Sequence, residues 1–181
     1  RGYLAGSGWN DYRKSNQICG ITLAPGLLES SKLEAPMFTP TTKAEEGHDI
    51  NISFDELVSS VGAELAEKLR YLSISIYEKA CSIAEKKGII IADTKFEFGV
   101  FDGDIILVDE ILTPDSSRFW SQSGYRVGFP QDSYDKQIVR DYLNTLDWDK
   151  TYPGPVLPEA VIKKTSERYV EILEILTGRG L

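Results

Sequence analysis

The sequence is poor in the residues that build metal centres and covalent cross-links. Its 181 residues include two cysteines and one histidine. Cys19 and Cys81 lie far apart with no histidine near them, so they cannot form a zinc site alone. We expect them to be reduced, inert thiols, which suits a cytoplasmic protein. His48 stands in a Gly-His-Asp triplet, and we expect it to orient its neighbours rather than to act as a base.

Long apolar runs and an excess of positive charge are also missing. No stretch approaches the length of a membrane-spanning helix, and the first residues do not have the pattern of a signal peptide. The 28 acidic residues outnumber the 20 basic ones, for a net charge of −8. This charge opposes binding to nucleic acid. We therefore expect no nucleic-acid or membrane partner, and ordinary globular composition indicates one domain over residues 1–181.

Glycine-rich phosphate-binding loops are a third absence. The early glycines, Gly2, Gly6 and Gly8, do not form a G-x-G-x-x-G or Walker pattern, and no such pattern follows a strand anywhere in the sequence. The sequence therefore predicts no nucleotide site of those two types.

The most informative segment runs from residue 88 to residue 120. Its β-branched beginning, GIIIADTKFEFG, predicts a strand that is buried at its start and then emerges into a cleft. Successive side chains of a strand point to opposite faces, so Asp93, Lys95 and Glu97 are predicted to share one polar face. A lysine between two acids, followed by a polar loop that ends in Arg118, is a set that phosphate chemistry uses.

A hairpin turn follows at Asp102-Gly103, and the length of the turn decides which acids meet. A two-residue turn pairs Glu97 with Val108 and sends Asp109 to the apolar face. A three-residue loop pairs Glu97 with Asp109, and opposed carboxylates are stable only with a cation between them. We favour the second register, with Mg²⁺ as the cation because it prefers hard oxygen ligands and bridges to substrate phosphates. The alternative is a charged hairpin whose acids face water.

Helical patterns surround this hairpin. Ser53 and Glu56 have the spacing of a capping box, and an apolar stripe from Leu65 to Ile83 predicts a helix that closes near Gly88. Two further helices are predicted over residues 136–146 and 158–177. The sequence therefore predicts an α+β fold in which an antiparallel β-sheet is flanked by helices. Residues 131–158 could wrap this domain or form a contact in a homo-oligomer.

Three segments, IIIADTKFEFG, DEILTPDSSRFW and FTPTTKAEEGHDINIS, resemble signature segments of the phosphoribosylaminoimidazole-succinocarboxamide synthase (SAICAR synthetase) family. The likeness extends from RGYLAGSGW to YVEILEILTG and so covers essentially the whole chain. It implies the larger lobe of an ATP-grasp or kinase-like fold. The sequence starts at Arg1 without a methionine, and we expect it to lack the N-terminal ATP-binding lobe of the family and to be the C-terminal catalytic and substrate-binding part.

The resemblance also implies an activity. Members of the family use ATP and Mg²⁺ to join L-aspartate to carboxyaminoimidazole ribonucleotide in purine biosynthesis, and they release SAICAR, ADP and phosphate. The implied partners are thus small-molecule substrates, and this truncated chain alone is expected to bind ATP poorly. Two rivals stay open: a kinase-like phosphotransferase for a small molecule, and a non-catalytic binding fragment that has kept the fold.

Carried over position by position, the resemblance assigns roles to individual residues. It implies that Lys95 lies beside the transferred phosphate and that Glu97 and Asp109 are catalytic ligands of Mg²⁺ and the nucleotide. Residues 43–51 are implied to form a loop that folds over the substrates. The residues with implied substrate-binding roles are Arg1, Ser7, Lys43, Asp49, Asn51, Asp93, Asp115, Ser116 and Arg118.

Overall fold

The computed structural model describes residues 1–42 and 49–180, so Lys43 and His48 lie outside the described residues. Helices and strands are mixed along the chain. In chain order they are α1 (Gly6–Ser15), β1 (Gln17–Ile18), β2 (Ile21–Thr22), α2 (Phe54–Val61), α3 (Ala63–Glu85), β3 (Ile89–Thr94), β4 (Glu97–Phe101), β5 (Asp104–Val108), β6 (Ser117–Ser121), α4 (Gln137–Asn144) and α5 (Glu159–Thr177).

The strands of the described ranges pair in twos. They form three antiparallel sheets, β1 with β2, β3 with β6 and β4 with β5. The α+β class, with antiparallel strands flanked by helices, is therefore confirmed, and the strands are divided among small sheets. Across residues 1–42 and 49–180, no helix combines the length and hydrophobicity that a bilayer crossing requires.

Strand β3 lies at the centre of the core because both of its faces are covered. Ile89 and Ile91 pack against α3 and α5 on one face. Ile90 and Ala92 pack against Trp120 of β6 on the other. This two-sided burial explains the unbroken apolar run. The strand is buried from Ile89 to Asp93, and the chain becomes exposed at Lys95, as the sequence predicts.

A bulge in β3 turns Asp93 toward β6. Ile91 pairs with Phe119, but the next pair is Asp93 with Arg118, so Ala92 is the extra residue. Without it, strict alternation would place Asp93 on the same face as Ile91. The bulge places Asp93 beside Arg118 instead.

The backbone carbonyls at this bulge are bonded from outside the sheet. The hydroxyl of Tyr77, on α3, donates to the carbonyl of Ile91 at 2.5 Å and lies 3.3 Å from that of Ala92. The amide of Gly2 donates to the same Ala92 carbonyl at 2.9 Å. Burial raises the pKa of Tyr77 well above its ordinary value. The hydroxyl therefore stays protonated, and its hydrogen bond connects α3 to the bulge of β3.

The long helix predicted from Ser53 onward is wrong, because the structure has two helices there. The capping box of Ser53 and Glu56 is present, but α2 ends at Val61. Gly62 then adopts φ +86°, a conformation that L side chains avoid, and α3 begins after it. The last member of the predicted apolar stripe, Ile83, is 51% exposed. The two C-terminal helices are confirmed, with Pro158 preceding α5 and Gly178 ending it.

The predicted register of the β4–β5 hairpin is also wrong. The two strands are joined by the two-residue turn Asp102-Gly103, and Phe101 pairs with Asp104. Both turn residues have positive φ, 49° and 85°, as the favoured two-residue hairpin turns require. The three-residue loop that we favoured from the sequence does not form.

This register separates the two acids that were expected to oppose each other. Glu97 pairs with Val108, and β5 ends at that residue. Asp109 follows with φ +64°, so alternation along the strand no longer fixes its direction. Glu97 and Asp109 lie at the same end of the hairpin but are not directly opposed, and the pairing itself does not require a cation.

Candidate active site

A chain of charged side chains of alternating sign lies beside the first turn of α1. Each member is within 4 Å of the next. We call this set the arginine cluster, and its members in order are Arg1, Asp93, Arg118, Asp135 and Arg140.

Asp93 is the buried centre of the arginine cluster. Arg118 Nη1 donates to its two carboxylate oxygens at 2.8 and 2.7 Å, and Arg1 Nη1 lies 3.4 Å from Oδ2. Burial acts to raise the pKa of Asp93, but Arg118 and Arg1 outweigh it and hold that pKa below its usual value. Asp93 was predicted to bind substrate, whereas the structure occupies its carboxylate with two arginines. Removing one partner of such a buried pair costs about 3–5 kcal/mol.

The first turn of α1 packs directly against the two arginines. A Cβ added at Gly6 would overlap the Arg118 guanidinium, and one added at Gly8 would overlap that of Arg1. Ser7 lies between them and is exposed. The N-cap residue, Ala5, provides no side-chain cap, and the first turn has no acidic residue. Amides of a helix N-terminus beside two guanidinium groups form a site that suits an anion.

Three further charged residues form a second group, which we call the lysine cluster: Asp49, Lys95 and Glu97. Lys95 forms an ion pair with Asp49, and its Nζ lies 3.7 Å from Glu97 Oε1. The hydrogen bond from Lys95 to Asp49 raises the pKa of Lys95. The prediction that Asp93, Lys95 and Glu97 share a face of one strand is wrong, because β3 ends at Thr94. Lys95 still meets Glu97, while Asp93 faces the arginines.

Asn51 holds the segment that follows the undescribed residues 43–48. Its side-chain amide donates to Asp11 Oδ2 at 2.5 Å, and its backbone forms an antiparallel bridge with Thr41. Asn51 is thus anchored to α1, and Asp49 reaches Lys95. The predicted role of Lys43 in this loop falls outside the described residues.

Two predicted substrate-binding residues hold the loop before β6 instead of joining either cluster. Asp115 forms an ion pair with Lys136 at 3.0 Å. The hydroxyl of Ser116 accepts a hydrogen bond from the Thr113 amide at 3.1 Å. The carbonyl of Ser116 accepts from the Lys95 amide at 3.0 Å, so this loop connects to the lysine cluster through its backbone.

Asp135 and Arg140 complete the arginine cluster, and the sequence analysis does not single them out. They lie in SYDKQIVRD, where an acid immediately before a predicted helix and an arginine five residues later are a faint signal. Asp135 is 2% exposed. Its partner on the other side, Arg118, comes from a distant part of the sequence, and that contact cannot be read from local spacing.

The fold and these clusters can be compared with known proteins. A sequence model of the family described as SAICAR synthetase matches residues 1–155. The chain belongs to the SAICAR synthetase family. It is 66% identical over 178 residues to phosphoribosylaminoimidazole-succinocarboxamide synthase of Thermodesulfovibrio yellowstonii, covering 98% of this chain and 61% of that relative. The Geobacter sulfurreducens synthase is 60% identical over 181 residues, with coverage of 99% and 61%.

Solved SAICAR synthetase structures have the same fold. The structure described as SAICAR-synthase from Saccharomyces cerevisiae complexed SAICAR superimposes with a TM-score of 0.87 at 44% identity, and the match covers 100% of this chain and 59% of the yeast chain. A SAICAR synthetase from Pyrococcus horikoshii gives a TM-score of 0.69 at 28% identity, with coverage of 100% and 63%. The chain thus spans about three-fifths of the length of the SAICAR synthetases that it matches.

Proposed function

We propose that the protein of which this chain is part is a SAICAR synthetase of cytoplasmic purine biosynthesis. It uses ATP and Mg²⁺ to ligate L-aspartate to carboxyaminoimidazole ribonucleotide, with SAICAR, ADP and phosphate as products. One observation supports this proposal above all others: Arg1 and Arg118, which form an anion site with the first turn of α1, both pair with Asp93, and Asp93 lies two residues before Lys95 of the lysine cluster. A single substrate that carries a phosphate and a carboxylate fits such a pair of sites.

The phosphate of the ribonucleotide fits the anion site. Arg1 and Arg118 supply guanidinium donors, Ser7 supplies an exposed hydroxyl, and the amides of the first turn of α1 supply dipoles of the right sign. Asp93 acts through the arginines, because its carboxylate accepts hydrogen bonds from Arg118 and lies within ion-pair distance of Arg1. Binding at this end leaves the imidazole carboxylate to extend toward the lysine cluster.

The chemistry at the lysine cluster requires charge neutralisation more than covalent help from the protein. The carboxylate of the ribonucleotide is by itself a poor electrophile. One of its oxygens attacks the γ-phosphorus of ATP, which forms an acyl phosphate and releases ADP. The aspartate amine then attacks the acyl carbon, loses a proton and displaces phosphate. Lys95, exposed by about half and kept protonated, offsets the charge that moves between these oxygens.

The residues at the open end of the hairpin fit the Mg²⁺ that this chemistry needs. Glu97 and Asp109 provide hard carboxylate oxygens at the same end of β4 and β5, and would hold the ion together with nucleotide phosphates. Among the described residues no group of three or more His, Cys, Asp or Glu could hold a metal. A site with few protein ligands is the usual arrangement for Mg²⁺, which supplies charge neutralisation at the transferred phosphate.

The remaining residues have supporting roles in this proposal. Asp49 and Asn51 place their loop beside Lys95 and α1, and Lys43 in the same loop would add a cation for an anionic substrate. Asp115 and Ser116 shape the loop that leads to Arg118.

The test is whether ADP release depends on aspartate. Full-length protein is supplied with ATP, Mg²⁺ and the ribonucleotide, with and without L-aspartate, and ADP and SAICAR are quantified together. Equal amounts of both products, formed only with aspartate, are expected. ADP formed without aspartate would show a phosphotransferase instead, and ribonucleotide binding without turnover would show a non-catalytic binding protein.

A further inference from the structure

Arg118 is held on two sides, and only one of its two acids belongs to the anion site described above. Nη1 donates to both oxygens of Asp93 on β3. On the other side, Nε lies 3.9 Å from Oδ2 of Asp135, which comes from the segment that leads into α4. A guanidinium group has five donor hydrogens in a rigid plane, so the hydrogen bonds of Nη1 together with the ion pair on the Nε side restrict its orientation.

The third nitrogen of Arg118 is directed at the anion site. Nη2 is the atom nearest to the Cβ position of Gly6, at the first turn of α1. Among the described residues, no group accepts a hydrogen bond from Nη2 in the structure. Asp93 therefore occupies Nη1, the carboxylate of Asp135 lies on the Nε side at ion-pair distance, and Nη2 faces the anion site.

Burial and two contacts fix the position of the Asp135 side chain. Its side chain is 3% exposed, its Oδ1 accepts from the Gln137 amide at 3.0 Å, and its Oδ2 also receives Arg140 Nη1 at 3.3 Å. A carboxylate held in this way can orient a neighbouring arginine, and an arginine that is already ordered loses less side-chain entropy when a ligand binds.

We propose that Asp135 is a positioning residue that orients Arg118 for the phosphate of the ribonucleotide substrate, an inference that rests on the proposed function. Asp135 does not contact the substrate. It sets the direction of the Arg118 guanidinium from the α4 side, while Asp93 sets it from the β3 side.

The experiment is a KM and kcat comparison of Asp135→Asn in the full-length protein. Asn keeps an acceptor for the Gln137 amide but removes the negative charge opposite Arg118 Nε. We expect the KM for the ribonucleotide to rise roughly tenfold, with the KM for ATP unchanged. A purely structural role would lower the melting temperature and the active fraction without this selective change in KM.

Asp132→Asn is the matched control, because Asp132 lies three residues away and pairs with Arg168 at the surface. It should leave both KM values unchanged. The double variant Arg118→Ala/Asp135→Asn should be no worse than Arg118→Ala alone, since Asp135 acts through Arg118. Additive effects of the two substitutions would overturn the proposal. If Asp135→Asn does not fold, Asp135→Glu is tested in its place, because it keeps the negative charge but moves it away from its present position. An unchanged ribonucleotide KM in Asp135→Glu would also overturn the proposal.

Arg118→Ala separates the two proposals. If its ribonucleotide KM is unchanged, the anion site of the proposed function is wrong. If Arg118→Ala raises the ribonucleotide KM and Asp135→Asn does not, only the role of Asp135 is wrong.

Discussion

The guanidinium group of Arg118 lies against the backbone of Gly6, with no room for a Cβ between them. Gly6 also adopts φ +54°, in the region that favours glycine. The contact brings a cation from β6 to the first turn of α1, so the geometry of the anion site depends on the absence of a side chain at this position.

Gly6→Ala should therefore weaken substrate binding beyond any loss of stability. Ala at this φ costs about 1–2 kcal/mol, and its methyl group displaces Arg118. We expect ribonucleotide affinity, measured by calorimetry, to fall roughly tenfold or more. Gly26→Ala is the control, because Gly26 has φ +84° and nothing within 4 Å of its Cβ position. Equal affinities in the two variants would contradict the role given to Gly6.

The carboxylates at the open end of the hairpin should control the dependence of turnover on Mg²⁺. Glu97→Gln and Asp109→Asn each remove a negative oxygen, and we expect turnover to fall on the order of 10² or more. The measurement is a Mg²⁺ titration of turnover in the full-length protein. Asp104→Asn changes the same kind of residue at the opposite end of the hairpin and should leave the titration unaltered. Near wild-type curves for both site variants would refute the metal assignment.

Acid should weaken the contribution of Asp93 to stability. Its pKa in the folded protein is held below the ordinary 3.8 by Arg118 and Arg1 against the effect of burial. A lowered folded-state pKa stabilises the protein above the unfolded-state pKa, and that stabilisation is lost as pH falls through the folded-state value. Urea unfolding at several pH values should show the gap between wild type and Asp93→Asn shrinking below about pH 4. A gap that is constant over this range would contradict the assignment.

Tyr77→Phe should destabilise the fold without altering any charge. It removes the hydroxyl that bonds the Ile91 carbonyl at the bulge of β3, and we expect the free energy of unfolding to fall by about 1–3 kcal/mol. Urea denaturation measures this directly. Tyr71→Phe, on the same helix at a position that is 71% exposed, should change it little. A similar loss in both variants would show that the bulge does not depend on Tyr77.

Local patterns predict most of the elements, and long-range contacts decide where the predictions fail. The capping box at Ser53, the buried run of β3 and the two C-terminal helices are recognisable from neighbouring residues alone. The predicted hairpin register is wrong because the local turn preference of Asp102-Gly103 sets the register, and a cation between Glu97 and Asp109 does not.

The sequence indicates which residues belong to the candidate site better than it indicates how they are arranged. The residue types of Arg1, Asp93, Lys95 and Arg118 indicate charge neutralisation of anionic substrates. The structure places Arg1, Asp93 and Arg118 together, whereas Lys95 lies in the separate lysine cluster. The bulge that turns Asp93 to Arg118 has no local signature in the sequence. The contact of Asp135 with Arg118 has no local signature either, since Arg118 is 17 residues away along the chain and on another element.

The arginine cluster has an odd number of members, three guanidinium groups against two carboxylates. By formal charge, the cluster as a whole therefore keeps one uncancelled positive charge in a chain whose net charge is −8. A phosphate dianion that binds there reverses the sign of the whole group and leaves a single negative charge. Under the proposed function, the arginine cluster would therefore favour one phosphate and oppose a second anion beside it.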